Sequence, residues 1–287
     1  MSVVVTGATG HLGRLVIDNL LASGVPGETI VAGGRRPEAL AQLEARGVLP
    51  VTIDYADADS LTNAFAGADT VLLISGSEVG RRVDQHRTVI DAARVAGVRR
   101  IVYTSAPHAD TSTLILAPDH KATEAMLQAS GLVVTVLRNN WYTGNYVPAV
   151  EHARATGEVV ASAGDGKVAS ATRADLAAGI AAVLTGEGHD GKVYELTGDA
   201  AWDFHELAAA IGEVLGRPVT YRAVSAEEHL EILTQAGLDE QTAGFLVALD
   251  GDIRAGALAD ATGDLARLIG RPTTPLVEAL RTALVRG

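Results

Sequence analysis

Apolar positions along the chain fall into two alternating patterns. Short runs of β-favouring residues, such as Val3-Val4-Val5-Thr6 and Thr70-Val71-Leu72-Leu73, alternate with longer stretches in which apolar residues recur at helical spacing. The runs predict strands at 29–32, 48–53, 70–74, 99–104 and 132–137. The helical spacing predicts helices at 14–21, 37–46, 58–65, 82–96 and 119–129. Regular β-α alternation with short connections implies an α/β fold with a doubly wound parallel sheet of Rossmann type. The strands read as apolar runs, as expected of strands covered on both faces.

Past residue 150 the pattern changes. A helix from Asp175 to about 184 and a strand at 192–196 are expected to return to the sheet, so that 1–150 together with 157–197 forms a nucleotide-binding domain. Residues 198–287 read as a smaller, mainly helical C-terminal lobe for substrate. Asp203-Phe204-His205-Glu206 has capping-box spacing, Ser225-Ala226-Glu227-Glu228 repeats it, and Pro275 stands at an expected first helical position. His205 and His229, inside these helix starts, read as surface residues.

The first strand runs into Gly7-Ala8-Thr9-Gly10-His11-Leu12-Gly13, and a helix follows. Gly7 turns the chain, Gly10 lets the backbone approach a pyrophosphate, and Gly13 lets helix pack on strand. Free N–H groups at the helix start, aided by its dipole, would hold phosphate. The spacing is G-x-x-G-x-x-G, so the setting between strand and helix carries the inference. The second strand ends in Gly33-Gly34-Arg35-Arg36, where an acid would suit a ribose 2′-hydroxyl and an arginine suits a 2′-phosphate. The expected cofactor is therefore NADPH, the alternative being two solvated arginines ahead of a helix. Asp54 is placed to reach an adenine ring or to serve a turn, and Ser75-Gly76-Ser77 to line the cofactor or simply to turn the chain.

The fifth strand closes with Tyr103-Thr104-Ser105. Nowhere does a Tyr-x-x-x-Lys pair occur: four residues after the six tyrosines stand Asp59, Pro107, Tyr146, Val150, Gly198 and Ser225. Asp119-His120-Lys121-Ala122-Thr123-Glu124 opens the next helix instead, with His120 and Glu124 on one face. His120 is either a site residue or a surface histidine at a helix start. No ligand spacing for a metal accompanies it. The stretch Asn139–Tyr146 holds three amides and three aromatics in a chain that is only 4% aromatic, which marks it as a pocket candidate at the carboxyl edge of the sheet. Trp141 could equally anchor a core.

Composition narrows the setting. A net charge of −12 without a basic run disfavours nucleic acid. The absence of cysteine excludes disulfides and thiolate metal sites. No apolar stretch suits a membrane span, and Met1 leads directly into the first strand, so a cytoplasmic protein is expected.

The TGATGxxG wording resembles the short-chain dehydrogenase/reductase superfamily. Residues 3–13, Arg35, Leu72-Leu73-Ile74-Ser75, 92–105, His120-x-x-x-Glu124 and Leu137-Arg138-Asn139 together resemble the NmrA-like family. Within it they resemble most the bacterial NADPH:quinone oxidoreductases, then the triphenylmethane reductases. The stretches 164–175, 189–196 and Leu268-Ile269-Gly270-Arg271-Pro272 extend the likeness nearly end to end. The resemblance implies NADPH held by the glycine turn, with Gly7, Thr9, Gly10, His11, Leu12 and Gly13, and by Arg35; Asp54, Ser75 and Ser105 join the expected cofactor contacts by their position at strand ends. It also implies hydride transfer to a quinone or similar conjugated acceptor, with a homo-oligomer allowed for; by their position, Asn140, His120 and Tyr142 are the expected catalytic residues. One departure is Arg36, which either strengthens the preference for NADPH or faces solvent. The alternative is an NmrA-like regulator that senses the dinucleotide without turnover.

Overall fold

The computed structural model describes residues 2–78 and 80–286. The first part of the chain alternates strand and helix: β1 Val3–Val5, α1 His11–Ala22, β2 Ile30–Gly34, α2 Pro37–Glu44, β3 Leu49–Thr52, α3 Ala58–Phe65, β4 Thr70–Leu73, α4 Arg82–Val95, β5 Arg100–Ser105, α5 Ala117–Ala129 and β6 Val133–Asn139. There follow α6 Val147–Thr156, β7 Glu158–Ala161, α7 Arg173–Thr185, β8 Val193–Leu196, α8 Phe204–Leu215 and β9 Thr220–Ala223. The chain ends in helices α9 Ala226–Gln235, α10 Glu240–Arg254, α11 Asp264–Ile269 and α12 Leu276–Arg286.

Two compact units result. The first comprises Met1–Asp110, Leu116–Asn139 and Arg173–Glu195, the second Thr111–Ile115, Asn140–Thr172 and Leu196–Gly287. The sheet unit thus ends at Asn139, ahead of the expected 150, and the returning segment is shorter than 157–197. The reason is local: β7 pairs with β9, which draws 140–172 into the second unit.

In the first unit seven strands lie in the order β3-β2-β1-β4-β5-β6-β8, a Rossmann-type doubly wound sheet. Pairings from β3 through β6 are parallel, with Val4 opposite Val31 and Val71, and Tyr103 opposite Leu73 and Val136. Val4, Val71, Leu73, Ile101, Tyr103 and Val136 form one face of the sheet and pack with Leu61, Phe65, Val89 and Leu127 of α3, α4 and α5. On the other face α1 packs against α7. Strands buried on both sides are why these runs are apolar throughout.

Local chemistry sets the helix starts. The Asp57 carboxylate accepts from the N–H groups of Asp59 and Ser60 at the head of α3. α5 begins at Ala117, two residues before the expected 119, because Pro118 occupies the first turn, where its missing N–H has no partner to lose. β2 starts at Ile30 rather than 29, since a 3-10 turn holds Thr29 N–H on the Pro26 carbonyl at 2.9 Å.

The second unit is mainly helical, as expected, and also holds the parallel strand pair β7–β9. β9 is short and mostly exposed, so it lacks the apolar run that marks a buried strand. Tyr146, Trp202 and Phe204 form an edge-to-face aromatic cluster with centroids 4.9–6.2 Å apart. The capping box at Asp203 and Glu206 is present with both bonds at 2.9 Å. His229 is corrected from surface to interior: buried, its Nδ1 lies 3.0 Å from Asp250 and close to Ser162.

One close backbone contact in the first unit is that of α1 against the turn before it. A Cβ on Gly13 would stand 2.4 Å from the Gly7 carbonyl oxygen and 2.8 Å from Ala8 Cα, both backbone. Gly13→Ala should therefore destabilise by about 2 kcal/mol through overpacking. Gly251→Ala, inside α10 with nothing within 4 Å of the added carbon, should stabilise by about 0.5–1 kcal/mol through helix propensity. Urea midpoints for the two variants check both signs, and equal shifts would contradict this packing.

Candidate functional site

The carboxyl ends of β1, β2 and β4 surround a groove of about 390 Å³, within the range of ligand pockets. Gly7, Thr9 and Gly10 line it from the first turn, Arg35 and Arg36 from the end of β2, and Asp54, Tyr55 and the 74–78 segment from the loops after β3 and β4. Strand order makes this the place: β1 lies between β2 and β4, and their following loops rise on either side of the glycine turn.

Gly7 adopts φ +62°, a left-handed conformation that reverses the chain above β1. Ala8 N–H then bonds the Gly33 carbonyl and Gly10 N–H the Gly7 carbonyl, each at 2.9 Å. Gly10 is the residue before α1 and no side chain caps that helix. The first-turn N–H groups of His11, Leu12 and Gly13 are thus free of a capping side chain, the arrangement an anion uses. His11 is exposed, whereas Leu12 and Gly13 are buried; these three contribute through backbone and packing, not as side chains lining the groove.

Arg35 is exposed at the rim and its Nη1 meets Glu78 Oε1 at 3.0 Å. Arg36 does not simply face solvent: its guanidinium donates to the Thr9 carbonyl and ties the end of β2 to the glycine turn. Asp54 lines the groove, and its Oδ1 accepts Ala56 N–H at 2.9 Å in a turn. Tyr55 was not legible as a site residue. Its hydroxyl bridges Thr6 Oγ1 at 2.5 Å and the Ile74 carbonyl at 2.7 Å, joining the ends of β1 and β4.

The Ser75-Gly76 segment is not a free turn. Ser75 N–H bonds Thr104 Oγ1 at 2.9 Å. Gly76 is held from both sides, its N–H on His86 Nε2 at 3.0 Å and its carbonyl by Arg82 Nε at 2.7 Å. Because Nε2 accepts an N–H, the His86 proton sits on Nδ1 and donates to Thr123 Oγ1 at 2.9 Å. Thr123 passes its own proton to the Asp119 carbonyl at 2.8 Å, and Arg82 pairs with the Asp119 carboxylate at 3.0 Å. Arg82, Gln85 and His86 are all buried polar residues on the inner side of α4. Sequence reading passed over them because polar residues on a helix ordinarily mark its solvent face.

His120 is also buried, with Nδ1 2.7 Å from the Tyr103 hydroxyl. Its expected neighbour Glu124 instead holds Arg138 at 2.7 Å and accepts from Ser105 Oγ at 2.6 Å. Ser105 is therefore tied to that buried ion pair and is not among the residues lining the groove. In the second unit Asn140 is buried, its Oδ1 accepting Trp141 N–H at 2.6 Å and its Nδ2 donating to the Leu258 carbonyl at 3.3 Å. Tyr142 is half-buried and bridges to Ala171. Tyr146, from the same aromatic-rich stretch, belongs to the core of that unit.

Both histidines are held neutral. Burial, then the nearby Arg82 charge, lowers His86 to about 3. Burial, Arg82 and His86 lower His120 likewise to about 3. The folded value lies below the unfolded 6.5, so the unfolded chain takes up the proton first. The stability from a neutral histidine is complete above pH 6.5 and is lost progressively as pH falls toward 3. Between pH 7.5 and 5 each should cost about 2 kcal/mol. His86→Gln, which keeps an acceptor for Gly76, should lose about that much less than the wild type over the same interval in chemical denaturation. An identical pH slope would contradict the neutral buried His86.

A family described as NAD(P)H-binding matches residues 7–187. Quinone oxidoreductase 2 of Escherichia coli strain K12 is 47% identical, over 97% of each chain. The crystal structure of the E. coli NADPH-dependent quinone oxidoreductase in complex with NADPH superposes with a TM-score of 0.95 at 46% identity, over 98% of this chain and 99% of that one. The triphenylmethane reductase of Citrobacter sp. in complex with NADP(H) follows at 0.94 and 40%, over 98% and 100%. An NmrA-like oxidoreductase of Aspergillus flavus is 30% identical over 99% of this chain and 95% of its own. With a glycine turn, an uncapped helix start and a rim arginine in one groove, and with relatives matched from end to end, the chain belongs to the NAD(P)H-binding family, in its NmrA-like group.

Proposed function

We propose that the protein is an NADPH-dependent reductase that passes hydride to a quinone or similarly conjugated acceptor. One observation carries the cofactor half: Arg35 stands at the rim of the groove whose floor is the glycine turn before an uncapped α1. A guanidinium there can pair bidentately with a 2′-phosphate. The similarity to reductases whose structures hold NADPH or NADP(H) supports the same reading.

When bound, the nicotinamide supplies the hydride. The chain's part is to place it. Gly10 and the N–H groups of His11 and Leu12 hold the pyrophosphate, Arg35 the 2′-phosphate, and Asp54 the adenosine end. The Thr104–Ser75 and His86–Gly76 bonds keep the opposite wall fixed. No Tyr-x-x-x-Lys device is present, and a conjugated acceptor needs it least. A quinone that accepts hydride becomes a delocalised hydroquinone anion, which requires less protonation in the transition state than an alkoxide does.

His120 of the first unit, and Asn140 and Tyr142 of the second, are each proposed as a hydrogen-bond donor to such an anion. The Tyr103 hydroxyl donating to Nδ1 of His120 would leave its proton on Nε2 as a donor. Asn140 has one Nδ2–H beyond the bond to Leu258. The setting proposed is cytoplasmic, with small-molecule partners and no nucleic acid. Loss of reduced-nicotinamide absorbance on mixing protein, NADPH and a simple quinone tests turnover, and binding without turnover would favour a dinucleotide sensor.

Arg35→Ala should weaken NADPH binding about tenfold or more and NADH binding far less, the scale of one charge-assisted bond. Titration of both reduced cofactors reads this, and an unchanged preference would remove Arg35 from the 2′-phosphate site. Asn140→Ala should lower quinone turnover about a hundredfold at saturating NADPH, with cofactor affinity nearly unchanged. His120→Ala should do the same less severely. Wild-type kcat in both folded variants would show that these side chains are structural.

A further inference from the structure

Glu78 stands where a phosphate-binding arginine would be expected to find only solvent. The segment after β4 reaches across the glycine turn to the segment after β2 and closes the Arg35–Glu78 pair at 3.0 Å. β2 and β4 are separated by β1, a span of roughly 10 Å at ordinary strand spacing, so the pair forms a strap over the adenosine end of the groove. Its acidic half is anchored: Glu78 Oε2 accepts from Gln85 Nε2 and Arg81 Nη1, both at 3.1 Å, and Gln85 is buried on α4. Its basic half is loose, with the Arg35 side chain 63% exposed against 32% for Glu78.

We propose that Glu78 is a specificity-determining residue, a resident carboxylate that occupies Arg35 until a 2′-phosphate displaces it. The inference rests on the reading that Arg35 faces the 2′-phosphate. A phosphomonoester carries more negative charge than a carboxylate and more acceptor oxygens, so it can draw the mobile guanidinium away. Glu78 stays seated on Gln85 and repels the incoming phosphate. A ribose with a bare 2′-hydroxyl meets no such repulsion, can donate to the same carboxylate and leaves the strap intact. Glu78 therefore narrows the discrimination between NADPH and NADH that Arg35 alone would give.

The test is equilibrium titration of wild type, Glu78→Gln, Arg35→Ala and the double variant with NADPH, NADH and adenosine 2′-monophosphate, at low and high salt, with thermal melts to confirm folding. Glu78→Gln should tighten NADPH and adenosine 2′-monophosphate about threefold, the scale of an exposed ion pair, and more at low salt than at high. NADH should bind no more tightly. The gain should shrink in the Arg35→Ala background, because the two residues act on each other. Unchanged or weakened NADPH binding in Glu78→Gln, or an equal gain for NADH, would overturn the proposal. If Arg35→Ala leaves NADPH affinity untouched, the cofactor reading itself fails. If Arg35→Ala weakens NADPH while Glu78→Gln does nothing, only the role of Glu78 fails.

Discussion

The contact on which the first unit depends is that of α1 against the turn before it. A Cβ on Gly13 would stand 2.4 Å from the Gly7 carbonyl oxygen, so helix and turn can meet this closely only with glycine there. This holds the start of α1 at the end of β1, the strand between β2 and β4. An anion site made from backbone N–H groups has no side chain to adjust, so its geometry is only as good as the placement of the helix. The left-handed Gly7 and the Gly10–Gly7 bond serve the same end, as does the Arg36 bond to Thr9.

A second layer of order comes from polar groups inside the sheet unit. Arg82, Gln85 and His86 lie on α4 where apolar residues would ordinarily face a sheet, and each turns toward the wall of the groove. Burying them is tolerable because their bonds are satisfied, and the neutral state of His86 follows from burial first and the Arg82 charge second. Ser105, Glu124, Arg138 and Glu195 form a separate buried network. It supports the carboxyl end of β5 and β6 and takes Ser105 away from the groove.

Much of the fold was legible because parallel strands covered on both faces leave apolar runs, and because glycine spacing reports backbone geometry directly. The turn from Gly7 to Gly13, the rim position of Arg35 and the turn at Asp54 all follow from residues whose type is dictated by local constraint. Tyr55, Arg82, Gln85 and His86 were not legible. Their roles arise from partners 6 to 49 positions away that only the folded sheet brings near. The small β7–β9 sheet escaped for a related reason, since exposed strands carry no apolar signature. His229 misled because its position in a helix start suggested solvent, while its actual partners, Asp250 and Ser162, come from elsewhere in the second unit.

The Tyr55 bridge has a thermodynamic consequence. Its hydroxyl closes on Thr6 and Ile74, contacts 49 and 19 residues apart in sequence. These bonds need β1, β2, β3 and β4 paired in register, so the groove belongs to the assembled sheet rather than to a local motif. A chain without that sheet would display the whole glycine sequence yet offer a nucleotide no shaped surface. The nucleotide would then bind the completed sheet alone, and the cofactor pool of the cell would act as a thermodynamic clamp on the native state.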